Sequence, residues 1–283
     1  MGYFAPRSLD DALSVLAAGN ARVLAGGTDF FPAQGRRPIA TDLVDLTGIA
    51  ELRGVTQGQT GWRIGAATPW SDVIKAPLPP AFDALKEAAR EVGSVQIQNV
   101  GTVAGNLCNA SPAADGVPPL LTLDASIEIA SRSGRRHLPL DRFLTGVRQV
   151  ALDPGEIVVA FHVPATDDMD RSAFLKLGSR RYLVISIAMV AVLLRLDGDR
   201  IADARIAVGA CSPVARRLPT LERVLIGQDR AVLGRTDLVA VEDLASLNPI
   251  DDVRASAAYR MDAAAQLITR ALHVAANRGG ANG

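Results

Sequence analysis

The chain has 283 residues with 30 basic and 30 acidic side chains, so its formal net charge is zero. That length can bury a substantial core and suggests two domains, or one domain with a large appendage. The charge balance argues against nucleic acid or an anionic membrane as the main partner. The two cysteines, Cys108 and Cys211, are too isolated for a CxxC-based zinc or iron–sulfur centre within this chain.

The opening MGYFAPRSLDDALS lacks the basic start and continuous apolar run of a secretory signal, so no export is expected. A helix is predicted over Ser8 to Ala18. Ser8 caps it, Asp11 stands at the capping-box position, Leu9, Ala12, Leu13, Val15 and Leu16 form its apolar face, and Gly19-Asn20 stops it. Short strands follow at Arg22–Leu24, running directly into Gly26-Gly27, and at Asp42–Leu46. From Gly54 to Ala67 the pattern is a hairpin with Gly58 and Gly61 beside its turn. Thr68-Pro69 then opens a helix with a capping hydroxyl and a proline at its first position.

Another helix is expected over Pro80 to Val92, on the spacing of Phe82, Leu85, Ala88 and Ala89. The stretch SVQIQNVGTVAGNLCNASPAAD has little helical periodicity, several glycines and many hydrogen-bonding groups, and reads as a ligand loop. Strands resume at Ser126–Ala130 and Ile157–Val163, joined through SRSGRRHLPL with a turn at Ser133-Gly134. The polar segment Pro164–Arg171 marks a domain boundary. Ile187–Leu196 and Ile201–Val208 pair as a hairpin around Asp197-Gly198. A long alanine-rich helix covers Val253 to Ala276, and the GGANG end is expected to be disordered. The apolar run from Ile185 to Leu194 is too short to span a bilayer and is read as a buried strand. His137, His162 and His273 are scattered, so no metal site is expected.

Two segments carry candidate chemistry. Val23-Leu24-Ala25-Gly26-Gly27-Thr28-Asp29 sets two glycines after a strand, where backbone amides can approach a phosphate; a plain tight turn is the competing reading. It lacks a P-loop lysine, and the chain contains no strand-linked GxGxxG. Gly101-Thr102-Val103-Ala104-Gly105-Asn106 offers similar chemistry downstream, with Ser111 and Asp115 close by. Two such loops together favour a nucleotide over two unrelated turns.

VLAGGTDF, QIQNVGTVAGNL, NASPAAD, LDPGEIV and FLKLGSRR, in this order and spacing, resemble the FAD-binding medium subunits of molybdenum hydroxylases of the xanthine dehydrogenase and carbon monoxide dehydrogenase type. The resemblance covers essentially the whole chain. It implies an α+β fold, a two-subdomain FAD-binding fold of the vanillyl-alcohol oxidase type followed by a C-terminal α+β domain. The corresponding boundaries are residues 1–54 and 55–168 for the two FAD-binding subdomains and 169–283 for the C-terminal domain.

By the same resemblance, Val23, Leu24, Ala25, Gly26, Gly27, Thr28 and Asp29, with Gly101, Thr102, Ala104, Gly105 and Asn106, clasp the FAD pyrophosphate. Ile97 and Val100 line the cofactor and Val158 supplies an apolar contact. Asp115 suits a ribose or adenine contact, and Lys176 places a positive charge near the flavin. Arg180-Arg181 match paired arginines beside the flavin ring. Tyr182-Leu183-Val184 depart from the acidic residues that follow in several members, which leaves the electron acceptor open. No catalytic side chain and no metal ligand is expected, and Cys108 is read as packing.

The implied function is electron transfer in the cytoplasm, without a membrane span or nucleic acid. A molybdenum-cofactor large subunit would oxidise the substrate, an N-heteroaromatic such as a purine, and a 2Fe-2S small subunit would relay electrons through FAD on this chain to NAD or another acceptor. A dimer of heterotrimers is the expected assembly. Two alternatives remain: a self-sufficient FAD-dependent oxidase or reductase of the same fold, and a non-catalytic scaffold without FAD.

Overall fold

A computed structural model describes residues 2–278; the expectation of a disordered GGANG end falls on residues 279–283, outside them. The chain forms two compact units that interleave along the sequence. One comprises Met1–Ala76, Ser94–Ala110 and Ala125–Ala165; the other comprises Pro77–Gly93, Ser111–Asp124 and Thr166–Gly283.

In the first unit, strands β1 (Tyr3–Phe4), β2 (Ala21–Leu24) and β3 (Asp42–Asp45) make a parallel sheet with β3 in the middle. The helix Leu9–Ala17 starts where Ser8 predicts it: Ser8 Oγ accepts the Asp11 amide at 3.2 Å. Its buried face, Leu9, Ala12, Leu13 and Leu16, joins a core with Val44, Leu46, Ile49, Leu52 and Val159. Each large apolar side chain so buried favours folding by about 1.5–3 kcal/mol.

A second, antiparallel sheet has the order β4 (Val55–Gly58), β5 (Gly61–Gly65), β10, β6 (Ser126–Ser131), β7 (Gly134–Pro139), where β10 is Ile157–Pro164; β8 (Leu144–Gly146) and β9 (Gln149–Val150) form a separate ribbon. Gly61 closes the predicted β4–β5 turn at φ +139°, and a Cβ there would overlap the Val163 carbonyl, so this position demands glycine twice over.

Three local expectations are corrected in this unit. Pro69 is itself the N-cap of the helix Trp70–Lys75 and no side chain caps it; the Thr68 hydroxyl is instead turned to the Gly54 carbonyl, to which it donates at 3.2 Å. SRSGRRHLPL is not a mere connection to the strand at 157, since Gly134–Pro139 forms β7 and pairs with β6. The stretch read as a ligand loop contains two helices, Val95–Val100 and Val103–Cys108. Ser94 and Thr102 cap them, accepting from the Ile97 and Gly105 amides at 3.4 and 3.0 Å. Six residues are too few for a helical period to show in the sequence.

In the second unit, β11 (Asp170–Leu177), β12 (Ala188–Asp197), β13 (Arg200–Gly209) and β14 (Arg216–Arg217) form an antiparallel sheet in chain order. The hairpin of β12 and β13 was legible in the sequence, whereas β11 was not. Both faces of β12 are covered. Ala188, Val190, Val192 and Leu194 share a core with Ala264, Leu267, Ile268, Ala271 and Leu272 of the long helix Ala257–Asn277. Met189 and Ala191 pack with Phe174 and with Ala84 and Ala88 of the helix Asp83–Glu91. This two-sided burial explains the near-continuous apolar run. Among the described residues no helix is long and apolar enough to cross a membrane.

The long helix is tied to the sheet by Arg260, which is only 3% exposed. Its guanidinium donates to the Ile187 carbonyl at 2.5 Å, the Ala210 carbonyl at 3.1 Å and Asp252 Oδ1 at 2.7 Å, so one cation binds the start of β12 and the end of β13. The Arg254 amide, followed by hydrogen bonds from Arg260 and Arg254, holds the Asp252 carboxyl down to about 2. Arg260→Met is expected to lower stability by roughly 2–4 kcal/mol, mainly because two carbonyls lose their donor. A carboxyl lower in the folded than in the unfolded chain favours folding above about pH 3.9, and that contribution fades as pH falls toward 2. Urea titrations across that range should therefore show a shallower acid loss in Arg260→Met than in the parent.

Candidate cofactor site

Strand β2 ends at buried Leu24, and the chain turns through Ala25–Asp29 into the helix Phe30–Gln34. Among the described residues the amides of Ala25, Gly26, Gly27, Thr28 and Asp29 donate no hydrogen bond. A run of unclaimed N–H groups with a glycine at φ +69°, Gly27, has the character of an anion-binding nest. Gly26 meets the second candidate segment directly: a Cβ on it would overlap the Val100 carbonyl and lie 2.9 Å from Gly101 Cα. Thr28 Oγ1 also borders Gly101, 3.6 Å from where a Cβ would stand. The structure thus brings the two glycine segments into backbone contact.

Their chemistry differs. In the second segment most amides are spent inside the chain: Gly101 on the Ile97 carbonyl at 2.6 Å, Val103 on Thr68 at 3.1 Å, Ala104 on Ala66 at 3.1 Å, and Asn106 on Thr102 at 3.1 Å. The Gly105 amide goes to Thr102 Oγ1. Gly105 therefore completes a helix cap, and Gly101 permits close packing. Asn106 is the exception to this self-sufficiency, since its Oδ1 is buried with no partner among the described residues. A buried amide left unsatisfied costs stability unless something pairs with it. Ile97 is half-buried, Val100 is exposed, and Val158 lies buried in β10. Unclaimed amide donors, an orphaned buried amide oxygen able to accept, and glycines that hold two backbones together make a set of groups that fits a dinucleotide.

Asp115 and Lys176 belong to the other unit. Lys176 Nζ donates to Asp115 Oδ2 at 2.7 Å and Ser186 Oγ to Asp115 Oδ1 at 2.9 Å, with both charged side chains less than a tenth exposed. Burial pushes the Asp115 carboxyl up, while Lys176 and Ser186 pull it back toward the ionised form. The two residues are thus one pair, a link hidden by 61 positions of sequence.

Lys176 also lines a cleft of about 530 Å³ with Glu87, Arg90, Glu91, Arg180, Arg181 and Val184. The sequence reading missed Glu87, Arg90 and Glu91, whose only signal was a charged stripe on a predicted helix. The rim loop is held by its own contacts. The Arg180 guanidinium donates to the Leu183 carbonyl at 2.5 Å, Leu183 adopts φ +51°, and the Arg181 guanidinium lies 5.3 Å from the Tyr182 ring centroid. Burial pushes the Cys108 thiol up to about 12 and the Cys211 thiol to about 11, so both stay protonated at neutral pH.

Lys176→Met is expected to destabilise the protein by about 3–5 kcal/mol, because it leaves a buried carboxyl without its cation. Lys176→Met combined with Asp115→Asn should recover part of that loss. Denaturant unfolding of the two single variants and the double variant checks this, and additive effects would contradict the pairing.

Comparison with known proteins gives these features a context. Residues 1–166 match the family described as FAD binding domain in molybdopterin dehydrogenase, and residues 173–275 match the CO dehydrogenase flavoprotein C-terminal domain. The xanthine dehydrogenase FAD-binding subunit of Escherichia coli O157:H7 is 34% identical over 92% of this chain and 90% of that protein. A carbon monoxide dehydrogenase structure from Hydrogenophaga pseudoflava, described as lacking the Mo-pyranopterin moiety of the molybdenum cofactor, superposes with TM-score 0.87 at 30% identity, covering 98% of both chains. Quinoline 2-oxidoreductase from Pseudomonas putida 86 does so with TM-score 0.87 at 27% identity, covering 98% of this chain and 97% of that one. With both family matches in place along the chain, the protein belongs to the FAD-binding subunit family of the molybdenum hydroxylases, oxidoreductases of the xanthine and carbon monoxide dehydrogenase type.

Proposed function

We propose that this chain carries FAD non-covalently and acts as the electron-exit subunit of a cytoplasmic molybdenum hydroxylase. It accepts electrons from a 2Fe-2S subunit and passes them to NAD or another acceptor, within a dimer of heterotrimers. The observation that carries the reading is the run of unclaimed amides from Ala25 to Asp29, supported by its backbone contact with Val100–Gly101. Pyrophosphate has only acceptor oxygens, so it matches a row of N–H donors and the Thr28 hydroxyl. The remaining assignments are Asn106 toward a polar group of the cofactor, Ile97, Val100 and Val158 as apolar contacts, and Asp115 with Lys176 as the polar pair at the nucleotide and flavin. FAD supplies both one- and two-electron exchange, the conversion needed between an iron–sulfur centre and a hydride acceptor.

The protein's own contribution is binding and electrostatics. Arg90, Arg180 and Arg181 outnumber Glu87 and Glu91 on the second unit's cleft, which supports an anionic acceptor such as NAD. Molybdenum cofactor and iron–sulfur clusters are assigned to the large and small subunits, because two separated cysteines cannot supply the four thiolates of a cluster. An N-heteroaromatic substrate such as a purine is supported by the names of the xanthine and quinoline relatives.

The test combines the chain with its large and small subunits and follows purine oxidation and NAD reduction. The chain alone should be yellow, release FAD on acid precipitation and oxidise no purine. The complex should reduce NAD, and removing FAD should abolish that step. Turnover by the isolated chain, or undiminished NAD reduction after FAD removal, would overturn the proposal.

A further inference from the structure

The polar face of the five-stranded sheet gathers a donor set that no part of the electron-transfer reading uses. Glu128 on β6 stands directly opposite His137 on β7, and His162 on the neighbouring β10 lies across from Ser126, two residues away on the same face. Strand alternation points all three side chains to one side, while Ile127, Ile129 and Phe161 fill the other. One ligand atom from each of Glu128, His137 and His162 falls within 4.8 Å of the other two. The two imidazole rings are 5.2 Å apart between centroids, and His162 Nε2 is 2.8 Å from Glu128 Oε2. The histidines that look scattered in sequence thus face each other across a buried carboxylate.

We propose that Glu128, His137 and His162 form a binding site for a borderline transition-metal dication of the Zn²⁺ class, which clamps three strands of this sheet. Metal bonds of about 2.0–2.2 Å place neighbouring ligand atoms about 3 Å apart, so the His162–Glu128 spacing suits a shared metal with little movement. Two imidazoles and one carboxylate select Zn²⁺ or Cu²⁺ over Mg²⁺ and Ca²⁺, which prefer all-oxygen shells. Glu128 is buried with its carboxylate turned toward both imidazoles. Arg135 binds Glu128 Oε1, leaving Oε2 on the histidine side. It also reaches Glu51 at 3.6 Å.

His137 is exposed, and so gives solvent access to a fourth, water-filled position. Two cations oppose a dication: Arg135 and Arg63, whose Nε lies 4.0 Å from Glu128 Oε2. The site therefore binds more weakly than a closed four-ligand structural centre. Because a clamp binds the folded chain and not the unfolded one, metal should raise the unfolding temperature.

The experiment uses the untagged full-length chain, stripped with a chelator and titrated calorimetrically with Zn²⁺, beside its His137→Ala and Glu128→Gln variants. The wild type should bind one equivalent, ignore excess Mg²⁺ and gain a few degrees of unfolding temperature at saturation. His137→Ala removes an exposed ligand, so it should keep the parent's far-UV dichroism while its affinity falls at least about 100-fold, at or beyond the limit for losing an outer-shell partner. Failure of the wild type to saturate, or equal Zn²⁺ affinity and thermal shift in His137→Ala, would overturn the proposal. Glu128→Gln retains a side-chain oxygen but loses the charge; unchanged affinity there would equally exclude the carboxylate as a ligand.

Discussion

Backbone lies directly against backbone where Gly26 meets Val100 and Gly101. No residue with a Cβ fits at Gly26 without moving one of the two segments, and the proposed pyrophosphate site depends on that contact. It fixes the turn after β2 against a pair of short capped helices whose amides are mostly engaged within the chain. The amides from Ala25 to Asp29 are left aimed at no protein acceptor. Each unpaired donor costs free energy when dehydrated, so such a row persists because water or an anion can complete it.

The two glycine segments therefore divide their labour. One supplies the donors, and the other supplies a rigid wall together with the orphaned amide of Asn106. The second unit holds a buried ion pair of its own, Asp115–Lys176, and a loop closed on itself by Arg180. None of these groups is arranged as a nucleophile beside a base, and both thiols are held protonated, as suits a subunit whose contribution is to position and polarise a cofactor.

Much of this was legible in the sequence wherever local signals decide the outcome. Ser8 with Asp11 started the first helix, Gly58 and Gly61 closed a hairpin, and the apolar run around Val190 made a strand buried on both faces. Long-range pairings set what was missed. The Thr68 hydroxyl is turned to the distant Gly54 carbonyl and caps no helix, and the helices at 95–100 and 103–108 are too short to display a period. Lys176 and Asp115 meet only because β11 comes beside the segment carrying Asp115. His137 and His162 meet only through the register of β7, β6 and β10, which no spacing along the chain discloses. The glycine motifs were legible as motifs, but which of them donates hydrogen bonds required the geometry.

The most direct measurement of the central claim is the affinity of the chain for FAD and for riboflavin, which lacks the pyrophosphate, in the parent and in Gly26→Ala. If the amides of Ala25–Asp29 hold the pyrophosphate, the parent should bind FAD at least roughly 100-fold more tightly than riboflavin, the effect of one or two charge-assisted hydrogen bonds. Gly26→Ala should lose most of that difference while retaining its far-UV dichroism. Equal affinity of the parent for the two flavins, or an undiminished preference for FAD in Gly26→Ala, would contradict the account.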